Sequence, residues 1–593
     1  MVEMSFLGKN LEALKRFNPH VREWLDKNSE KAVEVRAKIS KNKNGITDIS
    51  VGPGFLMENF SLNSYQIWLR DRDVKVYIVI GTNLGYGLNL ILEKADPSTK
   101  VLVLEPSAEI LFACLGLTDY SPFIKQNRLA FLHPDINFLN KFLSQLELYI
   151  FHSKIKILVD IPSSTIGPEY EHWGKRIKEI LADMKLNVTT TKKIQEEVVK
   201  NEMENFSSAF SDGSLLPLKC DSMDLQAIIL GAGPSLEHYI GLLKEFEDSA
   251  LFLTSFQTLP ALEGFGFTPS LSMLIDYSKN LIDIYKRVDS ERLKNIPLIY
   301  SVKASPGVVR RYPGPRFPIW TIGGLGTYIK DHLDIVIDSG GNVCVALIRL
   351  FKLFGIKKFF LVGQDFAWVD SKTHVSGHHA NKLQFRYDPK IHARLKNRRG
   401  ETIYSTASHL SAARKIEQEI KNSDIKVYNL YGGGVNIVGT IEITWDEMKD
   451  ELSNNTQKSK LTSFLKELAL CRKPRPIPAL PLQFKAWNSS LNHVQKRLEK
   501  LFKKPSKNAL EINATFREIY LFLNQHPLYQ PYISNDIAEM AKMAFIKSNY
   551  SPADFVYTKK IIKNIKRKTR EMDTALSVAA GVKGQVTARS KPL

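Results

Sequence analysis

Twice along this chain, short β-rich runs alternate with apolar stretches of helical spacing, and no other feature constrains the fold as strongly. From about 70 to 185, VYIVIG, VLVLEP, LAFLHP and IKILVDIP are separated by stretches such as GLNLILEKA and SAEILFACLG. A second series opens with AIILGAGPS at 227. It continues through ALFLTSF (250–256), SLSMLID (270–276), PLIYSV (297–302), PIWTIG (318–323), KKFFLVGQDF (357–366) and KVYNLY (426–431). The clearest helix between them is NVCVALIRLFKLFG, with Val343, Leu347, Leu350 and Phe351 on one face. Strands joined by helices predict α/β units with parallel, doubly wound sheets, whose ligands gather at the carboxyl ends of the strands.

At 593 residues the chain exceeds one ordinary core. Beyond about 450 the strand signals stop; the Pro-rich CRKPRPIPALPLQF (471–484) leads into helical patterns such as LNHVQKRLEKLFKK, and GVKGQVTARSKPL reads as a loose tail. The expected layout is an N-terminal Rossmann-like α/β domain with leading helices at 1–200, a central doubly wound α/β domain at 201–450 and a basic all-helical domain at 451–593. A polar stretch at about 186–215 should form a connecting helix and linker.

No apolar run reaches the roughly 18 residues that cross a bilayer, so no transmembrane segment is expected. The N-terminal residues lack the apolar core of an export signal; Leu11, Leu14, Phe17 and Val21 keep helical spacing instead. Cys114, Cys220, Cys344 and Cys471 show no CxxC spacing. The expected location is the reducing cytoplasm. Net charge is +20, and from Glu451 onward about 26 Lys+Arg face about 10 Asp+Glu, densest in KKIIKNIKRKTR (559–570). This run reads either as a solvated face or as a contact for an acidic protein or anionic lipid. Nucleic acid ranks last, because aromatic residues are not interleaved with the charges.

The second series sets its chemistry-bearing residues at strand ends. Gly231, Gly233, Pro234 and Ser235 form the first turn, where a strand, a glycine turn and a helix start make an anion cradle or merely fold the chain back. Ser255 and Gln257 end the next strand and Asp276 the one after. Ser339, Gly340, Gly341 and Asn342 follow Asp338 and precede a helix, offering a second helix start. Gln364 and Asp365 end FFLVGQDF, THVSGHH follows with His374, His378 and His379, and Gly433 sits in LYGGGVNIVG. Each has a plain reading as cap, turn or solvated side chain. Together they suit a nucleotide-activated donor with an acid/base. No GxxxxGK[ST] occurs, so a P-loop nucleotidase is not supported. The N-terminal GTNLGYG turn with Glu105 about 20 positions on has the ribose-binding spacing, although tight packing explains it as well.

In their order along the chain, GAGPSL (231–236), the Asp of LID (276), SGGNV (339–343), VGQDFA (362–367), TH (373–374) and YGGGVNIVG (431–439) resemble the motility accessory factor (Maf) family of flagellin glycosyltransferases. NLEALKRFNP and the block at 79–106 are similar to that family's N-terminal region, and the likeness covers about three quarters of the chain, thinning beyond 450. The central part also resembles bacterial CMP-sialic-acid-dependent sialyltransferases.

The resemblance implies transfer of a nonulosonic acid, such as pseudaminic or legionaminic acid, from a CMP donor to Ser or Thr of flagellin, for filament assembly and motility. It implies that N–H groups at Gly233–Ser235 hold part of the CMP, and that Ser339 and Gly340 cradle the donor carboxylate or phosphate, with Asn342 reaching the nucleotide. A histidine would take the acceptor proton: the TH pair points to His374, a Gly-His pair to His378. Asp365 and Asp276 would orient sugar hydroxyls or the base, or bind a divalent metal if one is used. Three alternatives stand beside it. The first is a diphosphotransferase like the archaeal pterin pyrophosphokinases, similar in the GAGPSL and GxD blocks. The others are a methyltransferase at the 79–106 turn and a non-catalytic flagellin-binding protein.

Overall fold

The computed structural model describes residues 4–52, 54–71, 73–329, 334–369, 372–380, 385–453 and 456–581. Each series forms its own parallel sheet. The chain divides into two compact units, Met1–Thr189 and Thr190–Leu593.

In the first unit, β1 (Val76–Ile80), β2 (Lys100–Leu104), β3 (Leu129–Leu132) and β4 (Ile155–Val159) lie in the order β3-β2-β1-β4, all parallel. Because successive side chains point to opposite faces, Tyr77 and Val79 enter one core with Leu88, Ile91, Leu111 and Leu115. Ile78 and Ile80 enter another with Leu139, Leu143, Ile177 and Leu181. The leading helices Leu7–Phe17 and Pro19–Asp26 set Leu14, Val21 and Leu25 into the first of these cores, while Phe17 stays exposed.

The second unit is built on nine strands: β5 (Met223–Leu230), β6 (Leu251–Ser255), β7 (Leu271–Leu274), β8 (Leu298–Ser301), β9 (Arg316–Thr321), β10 (Val336–Ile337), β11 (Ile356–Val362), β12 (Lys426–Leu430) and β13 (Ile441–Glu442). Their order is β10-β9-β8-β7-β6-β5-β11-β12-β13, every pairing parallel. The expected doubly wound sheet is therefore present, with the order reversing between β5 and β11. Short β10 and β13 escaped the sequence reading, since two residues carry no period. So did the antiparallel hairpin His392–Lys396 with Thr402–Thr406. The helix expected at 342–355 is Val343–Leu353; it puts Val345, Leu347, Ile348 and Phe351 against Ile229, Leu253 and Leu361 of the sheet.

The division between the units, at Thr189/Thr190, falls within the stretch read as the connector. The stretch read as a connecting helix and linker belongs to one continuous helix, Pro168–Ser211. The helices after residue 451 do not stand apart either. Trp487, Leu491, Phe516, Ile519, Ile533, Ile562 and Ile565 share one core with Val199, Phe206 and Phe210 of that long helix and with Val302 and Trp320 at the sheet. A single apolar core makes the basic tail part of the second unit. Among the described residues no helix is long and apolar enough to cross a membrane.

Candidate functional site

The carboxyl ends of β5 to β11 share one edge of the sheet, and a cavity of about 620 Å³ opens there, spanning the point where the strand order reverses. That is where an open α/β sheet leaves a crevice, and the volume suits a nucleotide-sized ligand. Gly231 and Gly233 from the first turn, Ser255, Gln257, Asp276, Ser339, Gly341, Asn342, Gln364, Asp365, His374, His378 and His379 all line it. Residues more than a hundred positions apart thus converge as the strand-end pattern required. Pro234, Ser235, Gly340 and Gly433 lie behind the wall.

The first turn is more occupied than its sequence suggested. The Gly231 N–H donates to the Val362 carbonyl and the Gly233 N–H to that of Gly363, both at 2.8 Å. The Ser235 N–H and hydroxyl both go to the Asp365 carboxylate, at 2.9 and 2.7 Å. These N–H groups cannot also hold CMP, and Asp365 is engaged with Ser235 rather than turned toward an imidazole. Burial pushes the Asp365 carboxyl upward while the Ser235 bonds oppose that shift. The glycines serve close approach: a Cβ on Gly231 would stand 2.3 Å from the Gly363 carbonyl oxygen, and one on Gly432 would stand 2.0 Å from Ser235 Cβ. Three loops are locked together here, and the Gly433 carbonyl is tied off by Asn397 Nδ2 at 2.9 Å.

The second turn is the better anion receptor. Gly340 and Gly341 take left-handed φ values of 62° and 69°. The Gly340 N–H returns to Asp338 Oδ1, and the Asn342 side-chain oxygen caps the helix Val343–Leu353 by accepting from Cys344 N at 2.9 Å. Asn342 is thus fixed as a cap. Beside Gly341 lies open space, so the start of an eleven-residue helix faces the cavity with its positive dipole end. Arg349 pairs with Asp338 at 2.7 Å, Lys415 Nζ donates to the Gly340 carbonyl at 3.0 Å, and the turn is held rigid. Along the wall, Gln257 Nε2 donates to Asp276 Oδ2 at 3.2 Å, and Ser278 N to Oδ1 at 2.8 Å.

The histidines form a stack. The His374 and His378 rings lie 4.4 Å apart and within 9° of parallel, with the His379 ring 4.5 Å from that of His378. Burial lowers the His374 imidazolium to about 4 and that of His378 to about 2, and neighbouring imidazoles add to both shifts; His379 is lowered too. All are neutral at pH 7. The Ala380 N–H donates to His378 Nδ1 at 3.2 Å, which occupies that ring's lone pair. His374 Nδ1 is buried and has no protein partner among the described residues, while the Ala380 backbone bonds the same ring. Of the two candidate bases, only His374 offers a free acceptor nitrogen.

Several lining residues were missed. His409, in the first turn of the helix Ala407–Lys421, has its own buried Nδ1 with no hydrogen-bond partner among the described residues; the hairpin before it hid the strand-end context. Lys303 and Tyr277 each stand a few residues past a strand and were legible by the rule applied to Asp276. The long helix adds Thr190, Thr191, Ile194, Gln195 and Val198 to the wall. Among the described residues no group of three or more His, Cys, Asp or Glu is placed to hold a metal ion.

In the N-terminal unit, the glycine turn is full. Glu105 is buried, accepts from Thr82 N at 2.6 Å and from Ser107 N at 3.0 Å, and takes the Tyr170 hydroxyl at 2.5 Å. Burial moves its carboxyl up to about 7. A Cβ on Gly85 would collide with the Tyr120 hydroxyl and one on Gly87 with Trp68. The spacing is that of packing.

Residues 62–130 match the family described as the glycosyltransferase Maf N-terminal domain. Over this stretch the chain is similar to the N-terminal domain of the Maf glycosyltransferases. Residues 195–371, which include much of the cavity wall, match the family described as 6-hydroxymethylpterin diphosphokinase MptE-like. Among solved structures, a MAf glycosyltransferase from Magnetospirillum magneticum AMB-1 superposes with a TM-score of 0.54 at 16% identity, covering 97% of this chain and 96% of that one. At that identity the likeness speaks for the shared fold. No curated protein matches the sequence.

Proposed function

We propose that this Maf-type chain transfers a nonulosonic acid from its CMP donor to Ser or Thr hydroxyls of flagellin, in the cytoplasm. The observation that carries the reading is the meeting, in one 620 Å³ cavity, of an open helix start at 339–342 with a neutral imidazole whose Nδ1 awaits a donor. The acceptor oxygen attacks the anomeric carbon as the bond to the CMP phosphate breaks. The phosphate leaves with the electron pair, and the hydroxyl proton passes to His374 Nδ1. A base held neutral by burial is ready at pH 7, and an arriving anionic donor raises its proton affinity as charge develops. Asp276, oriented by Gln257, is set to receive sugar hydroxyls, while Asp365 keeps the floor in shape through Ser235.

The acceptor has a candidate seat. Lys559, Lys560, Lys563 and Lys566 with Gln495 and Val556 line a surface groove of about 430 Å³, and the first three lysines are exposed. Such a groove suits an acidic face of a protein.

The match at 195–371 favours a second reading, diphosphate transfer to a small pterin. A thermal-shift panel on the whole chain separates the two. CMP raises the melting temperature if the glycosyltransferase reading holds; stabilisation by ATP–Mg and not by CMP sinks it. S-adenosylmethionine is expected to have no effect, given the filled N-terminal turn. Intact-mass analysis of flagellin from cells with and without the protein then reads the acceptor.

A further inference from the structure

Among the described residues that line the 620 Å³ cavity there is one formal cation, Lys303, just past the end of β8. Its ammonium donates to the Ile322 carbonyl at 2.5 Å. Among the described residues no carboxylate lies within ion-pairing distance of it. An ammonium has three donors, so two remain for a ligand. Of the acidic groups that act on it, Asp338 is engaged elsewhere, and Glu202 is bonded through Oε2 while its Oε1 is buried without a hydrogen-bond partner among the described residues. Asp338 is held by Arg349 at 2.7 Å and by Gly340 N. Glu202, on the long helix, accepts from Leu325 N at 2.7 Å, and burial raises its carboxyl to about 7, so it is only partly charged near neutrality. Both still act on Lys303 at longer range, opposing the downward shift that burial imposes on it. Lys303 is half-buried and has no close counter-ion, so a bound anion would supply the partner its charge lacks.

We propose that Lys303 and the start of the helix Val343–Leu353 together form the anion-binding subsite of the cavity, where the lysine ammonium takes an anionic oxygen of the activated donor. This rests on the reading of the cavity as a nucleotide-sugar site. Two independent sources of positive potential meet there: the side-chain charge and the helix start at Ser339, Gly341 and Asn342. They act on one wall, and Lys303 feels the charge of Asp338 in that same turn. The oxygen belongs either to the phosphate or to the sugar carboxylate; both are oxyanions that an ammonium holds by charge-assisted hydrogen bonds. The role is one of binding, and His374 remains the proton acceptor.

The test compares the whole wild-type chain with Lys303→Met, which keeps the stem and removes the charge, and Lys303→Arg, which keeps the charge. Melting temperatures without ligand verify that each variant folds. Calorimetry with CMP and with cytidine isolates the phosphate; steady-state KM for a CMP-nonulosonate adds the carboxylate. If the phosphate is the ligand, Lys303→Met weakens CMP roughly tenfold or more, leaves cytidine unchanged, and Lys303→Arg recovers most of the loss. If the carboxylate is the ligand, CMP binding is unchanged and KM for the intact donor rises by a similar factor. Unchanged values for both overturn the proposal. Should the wild type bind ATP and not CMP, the glycosyltransferase reading falls, and the same variants against ATP decide Lys303 separately: a loss upholds the subsite and parity removes it.

Discussion

At the scale of single residues, the proposed reaction turns on which nitrogen has a lone pair to spare. His378 is the more deeply buried ring, and its Nδ1 already accepts from Ala380 N; His374 Nδ1 is buried too but has no hydrogen-bond partner among the described residues. His374→Ala should therefore lower kcat by about 10²-fold or more while changing CMP affinity little, whereas equal losses in both would mark the ring as a donor ligand. The same burial makes stability pH-dependent. His374 drops from its usual 6.5 to about 4 and His378 to about 2, so the unfolded chain binds more protons than the folded one as pH falls below 6.5. Stability rises with pH through that window and is lost as acid is added, steadily down to about 4. The melting temperature at pH 5 should fall below that at pH 7, and His374→Gln/His378→Gln should flatten the slope. A double variant as acid-sensitive as the wild type would assign the effect elsewhere.

At the scale of elements, the glycine turns separate into two kinds. Those at 231–235, 363–365 and 432–434 are packed against one another, and Asp365 with Ser235 is their rivet. Ser235→Ala should cost about 1–3 kcal/mol in chemical denaturation, because it leaves a buried carboxylate oxygen without its hydroxyl partner. Gly231→Ala should be worse and lower soluble yield, since its Cβ meets a backbone oxygen that cannot swing aside. A variant of normal stability would mean the turn is looser than this geometry. The turn at 339–342 is of the other kind, open beside Gly341 and aimed at the cavity. Sequence could not distinguish the two. GAGPS and SGG are both short runs of small, glycine-rich residues before a helix, and what separates them is whether a third loop, contributed by residues 363–365, comes to use the N–H groups. What was legible was the larger plan. The expected strand segments at 250–256, 270–276, 297–302 and 426–431 each contain their observed strand, because parallel strands buried on both faces read as continuous apolar runs. Their shared edge correctly gathered Asp276, Ser339, Gln364 and His374. His409 was out of reach, since its place depends on a hairpin whose strands alternate too weakly to be seen.

At the scale of the whole molecule, the basic run 559–570 divides by face. Lys568 is buried and paired with Asp536 at 3.0 Å and Glu196 at 3.3 Å. Arg567 pairs with Glu571 at 2.7 Å. Lys559, Lys560 and Lys563 point out to the groove. The charge count in the sequence treated all of these alike; only the helix face tells structural cations from available ones. Lys559→Glu/Lys560→Glu/Lys563→Glu should cut flagellin modification several-fold, with CMP affinity and melting temperature close to wild type. Modification at the wild-type rate would remove the groove from acceptor binding.

Deleting the tail from about 485 is a poorer probe than these substitutions, because Trp320 and Val302 would lose their cover. The same shared interior governs how such chains can be recombined. A foreign tail grafted after residue 451 would meet aromatic rings shaped for its predecessor, so exchange between relatives must carry the Val199–Phe210 stretch and strand β9 along with the helices. Acceptor preference, if it resides there, is inherited together with part of the scaffold that builds the donor cavity.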